Sequence, residues 1–432
     1  MSSVAVRSAP VRPPVPVVDI DLARPGEFRL PGDRGAVRPQ GRVRALVRLH
    51  GLPLGMVSAA DASGPEGLWR AVANAAYVEL ASQLAQHRAV DRNGAPDGGS
   101  GEWPCQTVRR HAAHWAPLIS VVVATRDRPE QLRRCLRSLL RSEYAEFEII
   151  VVDNAPADGA TEALVREDFT GQVRYVREPV AGLARAHNVG LARARGTLVA
   201  FTDDDTLVDP GWLSALAETF AHDKRIGCVT GLIVPAELET LAQTALERQG
   251  GFAKGYEPRI WSPVDPPPDP LFPFTAGRFG SGANMAFRTD ALRALGGFDT
   301  ATGAGTPGRG GDDLLAFFET LTAGHMLAYQ PSAIVWHCHR RTWDAVATQA
   351  FGYGAGLGAY LTGAVVRNPR RLPALLRRLP RGIRYAMTRS RVRSADPEAD
   401  WSRRLALLEM WGMVYGPCGY LRGRLTGARA GT

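Results

Sequence analysis

The chain has 432 residues, 45% hydrophobic and 22% charged, with five cysteines and a formal charge of +9. Such values exclude a single small domain and a disordered chain. Five cysteines (Cys105, Cys135, Cys228, Cys338, Cys418) without CxxC spacing exclude a disulfide framework and fit a reducing compartment.

Residues 1–15 are Pro-rich and read as a flexible tail. The amino end lacks the apolar core of a secretory signal. No stretch has the ~20 apolar residues of a spanning helix. A cytoplasmic location is therefore expected. Residues 16–90 read as a small α+β domain. Within it Val43, Ala45, Val47 and Leu49 alternate as in a half-buried strand. Leu68, Val72, Ala76, Leu80 and Leu84 line one face of a helix over 67–87. Residues 91–116 contain DRNGAPDGGSGEWP and read as a linker.

A regular α/β alternation follows. Strands are expected at 118–125, 147–153, 173–178 and 198–205, with helices from Pro129 to about Arg141, near 159–168, over 182–196 (stopped by Gly196) and from Gly211 to Phe220. Strands alternating with helices imply a mostly parallel sheet covered on both faces. The fourth strand, LVAFTDDD, ends in Asp203, Asp204 and Asp205. Carboxylates this close repel one another, and a cation is the simplest way to hold them. Strand ends are also where an open α/β sheet binds ligands. The alternative is a polar loop before a helix capped by Asp209. Thr125 to Arg128 and Asp153 follow their strands in the same manner; Asp153 is equally well a turn residue in Asp-Asn-Ala-Pro.

The alternation then breaks. Residues 261–274 hold six prolines and read as a stiff loop, and 281–299 as a short apolar run and a helix. TGAGTPGRGG (302–311) has five glycines in ten residues and reads as a lid or a disordered insertion beside Asp312 and Asp313. A helix over 314–324 and a short strand over 333–339, ending in His337 and His339, come next. Residues 349–366 are uncharged and rich in glycine, which suits either a tightly packed helix or an interfacial one docked on anionic lipid. From Arg367 to the end stand fifteen arginines, no lysine and four acidic residues, so the basic character belongs to this carboxyl-terminal region.

Over about 117–345 the chain resembles a family 2 glycosyltransferase of GT-A fold, with an extra amino-terminal domain. The resemblance rests on ordered motifs: SVVVATRDRPEQLRRCLRSLL (120–140), VVDNAP (151–156), GLARAHNVGLARARG (182–196), TDDDT (202–206), SGANMAFRTDALRALGGFD (281–299), GGDDLL (310–315) and VWHCHRR (335–341). The chain departs from the pattern at Asp312-Asp313, where Glu-Asp is usual, at His187, where arginine is frequent, and at Ala124, where proline is usual.

The resemblance implies an α/β catalytic domain at 117–345, followed by a helical, arginine-rich region at 346–432. It implies inverting transfer from a nucleoside-diphosphate sugar to an acceptor hydroxyl of a glycan, glycolipid or small molecule, in cell-envelope or other glycoconjugate synthesis. By position, Asp205 and His337 would hold Mg²⁺ or Mn²⁺. Asp203 and Asp204 would face the ribose and nearby donor groups, Asp153 the base, and Thr125, Arg128 and Arg185 the nucleoside and phosphates. Asp313 would be the general base, with Asp312 its rival. A partner surface of anionic lipid on the inner face of the cell membrane is expected for the carboxyl-terminal region, and no nucleic acid. The competing reading is a non-catalytic protein that binds anionic surfaces on a degenerate GT-A scaffold. A nicotinamide dehydrogenase is excluded because no GxGxxG follows the first strand.

Overall fold

The computed structural model describes residues 13–92, 116–248, 251–393 and 399–429. Most of the expected tail and linker lie outside them. Strands β1 (Val17–Asp21), β2 (Gly41–Leu49) and β3 (Leu52–Asp61) form a three-stranded sheet, with α1 (Pro65–Glu79) and α2 (Ala81–Arg92) following. The single helix expected over 67–87 is thus two. They part at Leu80, whose side chain packs against Gly55, where a Cβ would collide with it.

The larger sheet begins with β4 (Ile119–Thr125), α3 (Pro129–Leu139), β5 (Phe147–Asn154), α4 (Ala160–Asp168), β6 (Val173–Glu178), α5 (Leu183–Arg193) and β7 (Leu198–Asp203). These strands pair in parallel in the order β6-β5-β4-β7. Then come β8 (Thr206–Val208), α6 (Trp212–His222), β9 (Ile226–Pro235), α7 (Leu241–Arg248), β10 (Arg259–Trp261), β11 (Asn284–Arg288), α8 (Thr289–Ala294), α9 (Asp312–Thr322) and β12 (Met326–His337). Strand β11 runs antiparallel to both β7 and β9, and β12 runs parallel to β9. Strands β4, β5, β7, β9 and β12 therefore share one direction. Thr125, Asp153, Asp203 and His337 all emerge at the carboxyl edge of the sheet, where an α/β sheet opens to ligands.

One face of the sheet packs Leu132, Leu136, Leu164, Trp212, Leu216 and Phe220 against it; the other packs Ala186, Leu191, Leu292, Phe317 and Leu321. Sequence reasoning missed β9 and α7. IGCVTGLIVP is buried at every position, so no alternation marks it. Strand β12 begins at Met326 and not near 333, because Pro331 hides its first half. A register shift between Gln330 and Ile334 accommodates the proline.

The glycine-rich segment 302–311 is not a lid. The Gly303 amide donates to Gly310 O and the Leu183 amide to Ala304 O. Gly311, at φ 84°, lies so close to Gly356 that a Cβ would collide with its carbonyl oxygen. Here glycine allows close packing rather than motion.

Beyond the sheet run α10 (Trp343–Arg367), α11 (Leu372–Arg393) and α12 (Ala399–Arg429). Helices α10 and α12 meet glycine to glycine. A Cβ on Gly354 would collide with the carbonyl oxygen of Glu409, and one on Gly412 with that of Phe351. Of the two readings of 349–366, the structure has the tightly packed helix. Gly354→Val should therefore separate the helices and lower the thermal midpoint by several degrees, an overpacking cost of about 1–3 kcal/mol or more. Gly382→Ala, on α11 with open space around its Cα, should leave the midpoint unchanged or slightly raised. Differential scanning calorimetry of both variants checks this.

Candidate metal and donor site

The turn between β7 and β8 sorts the aspartate triplet. Asp203 and Asp205 point one way, and with His337 they offer three ligand atoms within 4.8 Å of one another. Asp204 turns back into the protein. Its carboxylate accepts from Thr125 Oγ1 at 2.8 Å and from Arg128 Nη1 at 3.1 Å. Asp203 therefore stands with the candidate metal ligands, not with Asp204 as the sequence suggested. The turn is held by its backbone: Thr206 Oγ1 donates to Asp203 O at 2.7 Å and the Cys338 amide to Asp205 O at 2.9 Å. The second bond ties the end of β12, and hence His337, to the triplet.

Negative charge exceeds its compensation here. Burial pushes the Asp203 carboxyl well above the usual range, and the charges of Asp205, Asp204 and Asp312 push it further. Burial and Asp205 raise Asp204 to about 6 despite Arg128. Arg128 Nη1 and Arg340 Nη2 approach Asp205 Oδ2 at 3.4 and 3.6 Å. Two arginines at the rim do not neutralise three crowded aspartates with Asp312 behind them. Two carboxylates and an imidazole suit a hard or borderline divalent cation such as Mn²⁺ or Mg²⁺, so the residues fit the metal.

The imidazole is in the form that ligates. Burial lowers the His337 pKa to about 4, so the ring is neutral near pH 7. Its Nδ1 lies 3.1 Å from His339 Nδ1, and His339 Nε2 lies 3.1 Å from Glu247 Oε2. In the tautomer that places the His339 proton on Nε2, toward Glu247, His339 Nδ1 accepts from His337 Nδ1. The lone pair of His337 is left on Nε2, the atom 3.4 Å from Asp205 Oδ1. A carboxylate behind a histidine commonly fixes a metal ligand in this way. His339→Phe removes the relay while keeping a buried ring. It should weaken Mn²⁺ binding about 10- to 100-fold by isothermal titration calorimetry.

Helix α9 opens with the acidic pair, and the Asp312 charge reaches Asp203. Asp312 is buried, with Oδ2 3.5 Å from His187 Nδ1, and His187 packs on Phe201 and Phe298. Asp313 is half-buried. It accepts from the Gly282 amide at 2.8 Å and, through its other oxygen, from the Leu314 amide at 2.8 Å. Burial and the Asp312 charge raise Asp313 to about 6. Asp153 sits at the end of β5, fully buried. It accepts from Tyr175 OH at 2.8 Å, and its Oδ1 has no partner among the described residues. An unpaired buried acceptor is costly and suits a ligand donor. Arg185 lies in the first turn of α5, half-buried, with no ion pair among the described residues.

Sequence reasoning missed Glu247, Arg340 and the partnership of His339. Arg340 stood within the VWHCHRR motif, so position alone could have found it. Glu247 carries no local signal; only the packing of α7 brings it to His339.

Residues 120–296 match the sequence profile of glycosyl transferase family 2. The pre-mycofactocin glycosyltransferase of Mycobacterium tuberculosis is 30% identical over 265 residues, 60% of this chain and 50% of that protein. The glucosyl-dolichyl phosphate glucuronosyltransferase of Haloferax volcanii is 25% identical over 200 residues, 43% of this chain and 57% of that protein. The chain thus spans about half the length of these relatives. Among solved structures, a mannosyltransferase of Pyrobaculum calidifontis in complex with GDP-Man and Mn²⁺ superposes with a TM-score of 0.43 and 19% identity, covering 75% of this chain and 94% of that one.

Proposed function

We propose, from the match of residues 120–296 to glycosyl transferase family 2, that this protein moves a sugar from a nucleoside-diphosphate donor to an acceptor hydroxyl, with inversion at the anomeric carbon. The observation that carries the reading is the meeting of Asp203, Asp205 and His337 at one point of the sheet edge.

Asp203, Asp205 and His337 would hold Mn²⁺ or Mg²⁺, which supplies positive charge to the departing diphosphate. Arg128 and Arg340, already at the rim, would meet the remaining phosphate charge. Asp204, turned inward and fixed by Thr125 and Arg128, keeps the turn in shape. Asp153 would accept from the base through its free Oδ1, and Arg185 would lie along the donor. Asp313 takes the proton of the acceptor hydroxyl as that oxygen attacks. Its raised pKa brings its basicity closer to neutrality than an ordinary aspartate. The Gly282 amide and the start of α9 hold it in place. Asp312, engaged with His187, is assigned to support. One displacement inverts the centre, so no second carboxylate nucleophile is needed.

Residues 117–345 are the proposed catalytic domain and 16–90 a brace. Arg48 of β2 bonds both Asp19 and Asp209, at 2.6 and 2.5 Å, and Leu46 and Met56 pack with Leu207 and Trp336, neighbours of the triplet and His337. The proposed setting is cell-envelope glycan or glycolipid synthesis at the inner face of the membrane. Among the described residues no helix is long and apolar enough to cross a membrane. Incubating the purified protein with UDP-, GDP- and dTDP-sugars, with and without Mn²⁺, tests the reading. Metal-dependent release of nucleoside diphosphate is expected. Its absence for every donor would count against the proposal.

A further inference from the structure

The glycine face of α12 is spent on α10, which leaves the opposite face outward. There Leu407, Met410, Trp411, Val414, Leu421 and Leu425 recur at helical spacing on one side of the helix. They are not partly covered core residues: Trp411 is 67% exposed, Val414 68% and Leu425 69%. From Leu407 to Leu425 the stripe is about 27 Å long at 1.5 Å per residue. Arginines close it at both ends, with Arg403 and Arg404 before it and Arg422 and Arg424 within its last turns, all exposed. Between Arg403 and Thr426 the one acidic residue is Glu409, two positions from Trp411 and hence on the flank toward α10.

We propose that this outward face of α12 docks on an anionic lipid surface, lying in the plane of the headgroups. Charge decides between occupants. A second copy packed antiparallel would set Arg403 and Arg404 against Arg422 and Arg424; packed parallel, each pair would meet itself. Either way arginines face arginines, and Asp400, one turn before Arg403, is the one carboxylate of α12 on that side to set against them. A bilayer with acidic headgroups supplies apolar depth for the stripe and negative charge for both ends. Tryptophan within such a stripe suits the headgroup boundary. Helix α11 repeats the pattern on a smaller scale, with exposed Leu372, Leu376 and Leu379 among arginines. The surface replaces the one expected at 349–366, which is occupied by protein. It stands independently of the sugar chemistry.

The test is co-sedimentation of the full-length protein with vesicles of phosphatidylcholine alone and of phosphatidylcholine mixed with phosphatidylglycerol. Binding is expected to the mixed vesicles only, and to weaken as salt rises. The double variant Trp411→Glu, Val414→Glu should lose binding about a hundredfold or more while keeping the thermal midpoint and nucleoside-diphosphate binding. Replacing the four arginines by glutamine should cost about fivefold for each and flatten the salt dependence. Equal binding by the glutamate variant, or indifference of the wild type to phosphatidylglycerol, overturns the proposal. So does light scattering that finds a dimer which the glutamate variant breaks, since the face would then belong to a second copy. Donor turnover is measured separately, so the loss of one property leaves the other readable.

Discussion

Asp313→Asn is expected to lower sugar transfer about a thousandfold while nucleoside-diphosphate and Mn²⁺ affinities stay within a factor of about two. The magnitude is that of a general base, commonly 10²–10⁴. The asparagine keeps the size of the side chain and its one oxygen can accept from the Gly282 amide, while the Leu314 amide loses its acceptor, so an unchanged thermal midpoint is measured alongside to show that the start of α9 holds its shape. What goes is the capacity to take a proton. In the wild type the same group should write itself into the pH profile. Burial and Asp312 hold its pKa at about 6, and a base works only when deprotonated. The rate should therefore fall as pH drops through about 6 and level off above it. Asp312→Asn provides the control. It removes a charge next to Asp313, so the acid limb should move to lower pH while transfer survives. A profile in which Asp313→Asn keeps the acid limb and Asp312→Asn abolishes transfer would give the role to Asp312.

The second large effect is at Asp205. Asp205→Ala should reduce Mn²⁺ affinity by more than about a hundredfold and remove the metal dependence of donor binding, as measured by calorimetry. Its metal-free behaviour is the more discriminating part. Asp205 raises the pKa of both Asp203 and Asp204. A carboxyl whose pKa is raised on folding contributes stability below its unfolded value, near 4, and loses it as pH rises through the folded value, about 6 for Asp204. Removing Asp205 relieves that loss. Without metal, the alanine variant should melt at the same temperature as the wild type or higher above pH 6, and the gain should shrink toward pH 4. With Mn²⁺ the order should reverse, because only the wild type gains from the ion. A variant that melts lower in both conditions would mean that Asp205 is an ordinary structural residue.

Much of the fold was legible where period and punctuation agreed. The strands that carry Thr125, Asp153 and Asp203 near their carboxyl ends stood out because each is a short apolar run followed by polar residues, and α3 because Pro129 opens it. Strand β9 was not legible, since a strand buried on both faces has no alternation to read. Nor was the first half of β12, where Pro331 imitates a loop and only pairing with β9 shows otherwise. The glycines of 302–311 and 349–366 were visible but ambiguous. A glycine that frees the backbone and one that admits a neighbouring helix look alike in sequence, and here the second kind prevails. At the site, the triplet, the acidic pair and His337 came from motif order. The grouping within the triplet shows only in the turn after β7, which sends Asp204 inward to Thr125 and Arg128. The relay from Glu247 through His339 joins residues 92 positions apart, and no local pattern could announce it.

The proposed chemistry requires one cation shared by this chain and a diphosphate. Pulsed electron paramagnetic resonance of Mn²⁺ bound with nucleoside diphosphate reports both neighbours at once. Couplings to phosphorus-31 and to one imidazole nitrogen are predicted, with the nitrogen signal lost in His337→Gln and the phosphorus signal kept. A phosphorus coupling with no nitrogen in the wild type, or Mn²⁺ that stays free in the presence of protein and nucleotide, would contradict it.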